Sequence, residues 1–136
     1  NSDDPDEFSF VLLNDIVSGT EINFTDCGWL AAGGFRNFVF NNANGNQIGE
    51  GFLKWTATAD MSCGEEITII NTGGDNWSSS EGAIVESETN FALGGADQII
   101  AFQGDVSSPT FIFAINNEGA AVWQSNATNS SNSGCS

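Results

Sequence analysis

The side chains that carry most catalysis near neutral pH are almost missing from this chain. Its 136 residues contain no histidine and no tyrosine, one lysine (Lys54) and one arginine (Arg36), against eighteen Asp and Glu. Histidine is the most common general acid–base because its unperturbed pKa lies in the physiological range. Carboxylates, hydroxyls, amides and thiols remain, which suit binding and structural roles better than catalysis. The composition therefore predicts a protein that is not an enzyme.

One catalytic alternative needs only carboxylates. A glycosidase uses two carboxyl groups at a set separation, and Asp26, Glu50 and Asp97 are candidates. Nothing in the sequence distinguishes them from ordinary surface charge. A serine nucleophile would have no histidine to act as its base. We therefore predict that the chain has no catalytic residues.

An acidic cluster at the start of the chain has the composition of a calcium site. Asp3, Asp4, Asp6 and Glu7 surround Pro5. Calcium takes six to eight oxygen ligands, so carboxylates gathered on a turn suit it. The spacing does not fit an EF-hand loop, which requires a glycine at its sixth position. The cluster is therefore either a calcium site, with no other cofactor expected, or a solvated terminus.

Four tryptophans could offer a platform for a sugar ring: Trp29, Trp55, Trp77 and Trp123. In a β-sandwich most large aromatic side chains serve the core. Trp55 lies in a strand pattern and is expected to be buried. Trp77 lies between Asn76 and Ser78 in a polar stretch, and it is the tryptophan we predict to contact a ligand.

Cysteines and glycosylation motifs point to an extracellular, cell-surface location. Cys27, Cys63 and Cys135 form an odd set, which in a secreted chain suggests one bridge and one free or intermolecular thiol. Asn-x-Ser/Thr acceptors, which would carry covalent glycans, stand at Asn23, Asn76, Asn126 and Asn129. Strand alternation predicts that Asn23 points outward, because Ile22 and Phe24 point inward.

The charge balance excludes several partners. A net charge of −16 argues against nucleic acid, because phosphate affinity comes from Lys and Arg. It also disfavours an anionic membrane surface, and no apolar run is long enough for membrane insertion. The chain starts at Asn1 rather than Met, so we expect a mature product whose leader has been removed.

The hydrophobic pattern predicts an all-β fold, an antiparallel β-sandwich or jelly roll of about nine short strands. The single domain is predicted over residues 1–124, followed by a polar tail or linker at 125–136. Residues 75–82 read as a loop. Strands are predicted at 8–13, 20–25, 52–56, 65–71, 97–103 and 110–115, with weaker ones at 35–40, 83–85, 90–93 and 121–123.

The order of several motifs resembles a β-sandwich domain of large secreted and surface proteins of bacteria, and more distantly the lamin-tail type of sandwich. The motifs are DEFSFVLLNDI (6–16), GTEINFTD (19–26), GW (28–29), EGFLKWTA (50–57), GEEITI (64–69) and NTG (71–73). The resemblance implies the fold. It implies no activity, because the bacterial domain has no established biochemical function.

Departures from the resembled domain motivate two further predictions. Cys27 and Cys63 replace an expected Asn and a small residue, and both stand near the ends of adjacent hairpins, so we predict that they are bridged. The family's leading strand would precede the turn at residues 1–3, where this chain begins. A sandwich that lacks one strand exposes unpaired backbone and part of its core.

These patterns favour a non-catalytic extracellular structural module, a subunit of a surface fibre or matrix that self-assembles into a homopolymer by inter-subunit β-strand addition. Residues 8–13 carry apolar side chains on both faces, which predicts either an interior strand or a segment inserted into a neighbour. The alternative from another class is a calcium- or carbohydrate-binding adhesion module.

Overall fold

The computed structural model describes residues 5–30, 32–35, 51–87, 91–93 and 98–116. The predicted all-β fold is confirmed, with eight strands in this part of the chain. They are β1 (Glu7–Val11), β2 (Glu21–Thr25), β3 (Phe52–Thr56), β4 (Glu66–Gly73), β5 (Asn76–Ser79), β6 (Ala83–Ser87), β7 (Gln98–Gln103) and β8 (Thr110–Asn116). None of the described residues forms a helix that is long and apolar enough to span a membrane.

The strands form two antiparallel sheets that pack as a sandwich. One sheet has three strands in the order β1-β4-β5, and the other has five in the order β6-β3-β2-β7-β8. Isolated bridges between Ile16 and Met61 and between Trp29 and Phe35 extend the pairing beyond the strands. The predicted tail at 125–136 and the weak strand at 121–123 lie outside the described residues.

The sequence prediction of a loop at 75–82 is wrong for its first half, because β5 occupies Asn76–Ser79. A tight turn through Gly73 and Gly74, which have φ of 122° and 60°, returns the chain directly onto β4. Trp77 then points into the core and holds the new strand. The predicted strand at 90–93 is not formed at 91–93, which the structure describes as irregular.

The main core lies between the two sheets. It contains Trp55, as predicted, at 0% exposure, and it is built from the inward-facing positions of both sheets. The rings of Phe8 and Phe10 on β1 pack on Phe24 of β2, with centroids 5.1 Å and 5.2 Å apart. This contact places β1 opposite β2.

A second aromatic cluster covers the other face of the five-stranded sheet. Phe102 and Phe52 project from that face and are buried, with ring centroids 6.3 Å apart. Phe35 packs on Phe102 at 5.3 Å, and Trp29 packs on Phe35 at 5.0 Å and on Phe111 at 4.8 Å. The segment after β2 therefore folds back over its own sheet, so this sheet has aromatic cover on both faces.

Candidate functional site

The first component of the candidate site is the edge of β1 that faces away from β4 at Ser9 and Val11, which we call the free edge because no described strand pairs with it. Among the described residues, β1 pairs only with β4. The backbone groups of Asp6 and Leu12 bond toward β4: Asn71 N–H donates to Asp6 O at 2.9 Å, and Leu12 N–H donates to Glu65 O at 3.0 Å. Because antiparallel bonding alternates along a strand, the N–H and C=O groups of Ser9 and Val11 point away from β4.

Of the two alternatives predicted for residues 8–13, the described residues contradict the first, an interior strand with both faces covered. Phe8 and Phe10 face the core, whereas Val11 and Leu13 are 50% and 80% exposed. The apolar residues on the second face do not pack within this part of the chain. Within the described ranges, β1 is an edge strand that buries one face.

The second component is the core-side face of β8. Phe113 pairs with Ala101 and Ile115 pairs with Ile99, so both lie on the side of the sheet that faces the core. They are nevertheless 61% and 49% exposed. The reason is the width of the sheets: β1 stands opposite β2, so no described strand stands opposite β7 and β8.

These two components meet at one end of the sandwich, which we call the open end: the free edge of β1 and the exposed side chains Phe113 and Ile115. A strand laid beside β1 would extend the three-stranded sheet over β7, toward the exposed side chains of Phe113 and Ile115 on β8. It would bond to the outward backbone groups of β1 and cover apolar surface at the same time. The sequence signal that pointed here was the apolar content of both faces of residues 8–13.

The predicted calcium cluster is only partly described, since Asp3 and Asp4 lie outside the described residues. The Asp6 carboxylate accepts a hydrogen bond from Leu93 N–H at 3.1 Å, and Glu7 begins β1. The described ranges contain no group of three or more Asp, Glu or Cys side chains that could hold a metal ion. Asp6 fixes the segment at 91–93 rather than standing in an open acidic cluster.

The predicted ligand contact at Trp77 is wrong. Its side chain is 8% exposed and packs on Phe91, with centroids 4.9 Å apart, and on Phe8 at 6.5 Å. The polar neighbours Asn76 and Ser78 are the residues that face solvent. Strand alternation, missed because the segment read as a loop, explains the difference.

The glycosylation acceptors fall into different environments. Asn76 is exposed, and its Nδ2 donates to Gly73 O at 2.8 Å. Asn126 and Asn129 lie outside the described residues. Asn23 does not point to solvent as predicted: it is on the face opposite Phe24, but the aromatic cluster and the turn after β7 cover that face, so it is only 4% exposed.

The predicted bridge between Cys27 and Cys63 is not formed. Cys27 follows β2 of the five-stranded sheet and is fully buried, whereas Cys63 is exposed on the turn before β4 of the other sheet. The Cys63 N–H donates to the Asp15 carboxylate at 2.8 Å, which fixes that turn at the surface. Cys135 lies outside the described residues.

Asp26, one of the three carboxylates considered for catalysis, is completely buried. Its two oxygens accept hydrogen bonds from Gly51 N–H and, at 3.0 Å, from Ala92 N–H. The carboxylate thus joins the end of β2 to two other segments of the chain. Glu50 and Asp97 lie outside the described residues. Nothing in the spacing of Asp26 distinguished this structural role.

A cavity of about 320 Å³ opens on the outer face of the five-stranded sheet. Its lining combines carboxylates, an amide, the chain's one lysine and two apolar side chains: Glu21, Asn23, Phe52, Lys54, Gly104, Asp105 and Val106. Asn23 Nδ2 donates to Gly104 O at 3.1 Å on its wall.

The chain was compared with family models, curated proteins and solved structures, and none of them matches it. The resemblance to bacterial surface domains therefore stays a prediction. The open end and the cavity of the outer face are the features of the described residues that bear on function.

Proposed function

We propose that this protein is a non-catalytic extracellular structural module, a subunit of a surface fibre or matrix assembled by inter-subunit β-strand addition. The observation that carries the proposal is the open end. There, among the described residues, a β1 edge with no paired strand at Ser9 and Val11 and exposed apolar side chains on the inner face of β8 lie at the same end of the sandwich.

Neither the strand edge nor the exposed apolar side chains alone would indicate assembly. Free strand edges occur in many sandwiches, which blunt them with charges, prolines or bulges. Ser9 and Val11 at the free edge of β1 carry no charge, and Phe113 and Ile115 present large apolar side chains beside it. One added strand serves both components, since its backbone bonds β1 and its inward side chains lie over β7 and reach toward Phe113 and Ile115 of β8.

The geometry of such a contact favours a filament. When the donor strand is a segment other than β1, the donor and the open end are different surfaces and the contact is heterologous, whereas pairing of β1 with a second β1 would give a two-fold dimer. Heterologous contacts generate rings when the rotation closes and open filaments when it does not. The net charge of −16 would keep free subunits soluble before assembly.

The test uses the secreted protein and two variants of Ser9. Ser9→Pro removes a backbone N–H that points away from β4, so it blocks pairing with an added strand and leaves the β1–β4 ladder intact. Ser9→Ala is the matched control, because both variants lose the 2.9 Å hydrogen bond between Ser9 Oγ and Thr68 Oγ1. Negative-stain microscopy and light scattering on a sizing column report the assembly.

The proposal expects filaments from the unmodified protein and from Ser9→Ala, and monomers from Ser9→Pro. Filaments in all three samples would place the contact elsewhere. Monomers in all three would contradict assembly, and would mean either that another segment of the same chain closes the open end or that the protein is a calcium- or carbohydrate-binding adhesion module.

A further inference from the structure

The chain's one lysine stands directly across the sheet from a buried asparagine. Lys54 on β3 and Asn23 on β2 are paired Cα partners in the antiparallel ladder. Such partners project to the same face with Cβ atoms about 4.5–5.5 Å apart. Both side chains line the cavity of the outer face, so the flexible four-carbon stem of Lys54 can bring its amine to the Asn23 carboxamide.

The Asn23 carboxamide is held in place and shielded from water. Its residue is 4% exposed, and Nδ2 is fixed by the 3.1 Å hydrogen bond to Gly104 O. Its Oδ1 is buried and has no hydrogen-bond partner. A buried amide oxygen without a partner is costly, and here it belongs to the group that faces the lysine.

Two carboxylates line the same cavity, and they differ in their bonding. Asp105 accepts hydrogen bonds from Ser107 Oγ–H at 2.7 Å and Ser107 N–H at 2.8 Å. These bonds hold the pKa of Asp105 below its usual value, so it is a poor proton acceptor. Glu21 lies two residues before Asn23 on the same face of β2, diagonal to Lys54 and within reach of a long side chain.

We propose that Lys54 and Asn23 form an intramolecular isopeptide bond, with Glu21 as the proton carrier. Glu21 takes a proton from the Lys54 ammonium, and the neutral Nζ attacks Cγ of Asn23. A bond forms between Nζ and Cγ. Glu21 returns this proton to Nδ2, the bond between Cγ and Nδ2 breaks, and ammonia leaves; Nζ then loses its surplus proton to the ammonia, which becomes ammonium. The products are one secondary amide and one ammonium ion, with no oxidant or cofactor required.

The placement of Lys54 and Asn23 as cross-strand partners in one cavity makes a slow reaction feasible once the lysine side chain reaches the amide. Well-oriented intramolecular reactions reach effective molarities of about 10⁵–10⁸ M, and the buried amide is protected from competing water. The product would join β2 to β3 covalently at the centre of the five-stranded sheet. This inference does not depend on the proposed assembly, because the bond forms within one chain.

The experiment measures intact mass and tryptic fragments of the reduced, denatured protein. The bond removes about 17 Da, the mass of ammonia. Arg36 and Lys54 are the only tryptic sites in the sequence. An unlinked chain therefore gives fragments 1–36, 37–54 and 55–136, whereas the linked chain gives 1–36 joined to an uncleaved 37–136.

Three variants make the result decisive. Lys54→Arg keeps the positive charge and cannot form the bond, so it should retain its full mass. Glu21→Gln should slow the mass loss by at least about tenfold, because a positioned general base typically accelerates a reaction by about 10²–10⁴-fold. Asp105→Asn should leave the rate unchanged.

A full-mass folded protein, cleaved at Lys54 after prolonged incubation, would overturn the inference. So would a loss of about 17 Da that persists in Lys54→Arg, because ring closure of the backbone at Asn44-Gly45 removes the same mass. An added glycan on Asn23 would also overturn it, since the amide nitrogen cannot both leave and carry a sugar. An equal rate in Glu21→Gln would exclude Glu21 as the proton carrier.

Discussion

The two ends of this sandwich are finished in different ways. At one end, which we call the closed end, β5 and β6 lie against each other and Trp55 fills the space beneath them. At the open end, no described strand pairs with the second edge of β1, and Phe113 and Ile115 are 61% and 49% exposed on the side that faces the core. Core-facing side chains are therefore buried at the closed end and exposed to solvent at the open end.

At the closed end, packing around Trp55 and two hydrogen bonds hold the connection between β5 and β6 against the core. The indole nitrogen of Trp55 donates to Glu81 O at 2.8 Å, and Gly82 brings the backbone against the ring. Ser80 N–H donates to Thr68 O at 2.9 Å, which holds the connection from β5 to β6 against β4. Nothing equivalent covers the core-side face of β8 in the described part of the chain, so a partner would bury the most new apolar surface at the open end.

The largest effect is expected from breaking the closed end at its centre. Trp55→Ala removes a fully buried indole and leaves Glu81 O without its donor. We expect a loss of about 3–5 kcal/mol in the free energy of unfolding. Urea denaturation followed by fluorescence of the remaining tryptophans measures it. A loss below about 1 kcal/mol would show that Trp55 does not seal this end.

Glycine substitutions compare the two ends directly. A Cβ at Gly82 would lie 2.5 Å from the Trp55 indole, at a φ of +72°. A Cβ at Gly104, in the turn from β7 to β8, would have 3.6 Å to its nearest neighbour at a φ of +83°. Gly82→Ala adds a steric clash to the backbone cost, so we expect about 2–4 kcal/mol against about 1–2 kcal/mol for Gly104→Ala.

Thermal or urea unfolding of the two alanine variants gives the comparison. Equal losses would mean that the contact between Gly82 and the indole is easily relieved and that the closed end is not tightly packed.

At the open end, a side chain should matter more for assembly than for folding. Phe113 is 61% exposed, so Phe113→Ser should cost less than about 1 kcal/mol in the monomer. The same change removes apolar surface that an added strand would cover, so filament formation should fall sharply. Unfolding of the monomer and sedimentation of filaments separate the two effects. Unchanged filament yield would remove β8 from the interface.

The smallest effect concerns pH at the turn beside the open end. Ser107 lowers the pKa of Asp105, which is fully exposed. A lowered native pKa stabilises the fold above the ordinary Asp pKa of about 3.9, and this contribution is lost as pH falls through the lowered value. Asp105→Asn should therefore flatten the acid limb of the stability curve slightly. A change confined to neutral pH would contradict this assignment.

The sequence was informative where a single local rule decides the structure. Alternating residues identified β2, β3, β7 and β8, and the long apolar run located β1. The segment around Trp77 was misassigned because polar neighbours suggested a loop, although the turn at Gly73 and Gly74 forces the chain back onto β4.

Alternation along a strand does not predict whether the outer face of a sheet is covered by other parts of the chain. It correctly placed Asn23 opposite Phe24, but the burial of Asn23 requires the distant residues Phe35 and Phe102 to cover that face. The pairing of Asn23 with Lys54 depends on strand register across a long connection. Sequence spacing does not fix such a register.

Hydrogen exchange at individual amides of β1 tests the central claim most directly. In the monomer, the N–H groups of Phe8 and Phe10 face β4 and should exchange slowly, whereas those of Ser9 and Val11 face away and should exchange fast. Assembly by strand addition predicts that Ser9 and Val11 become protected while Phe8 and Phe10 change little. Filaments in which Ser9 and Val11 still exchange fast, or a monomer in which they are already protected, would contradict the claim that the free edge of β1 receives a neighbouring chain.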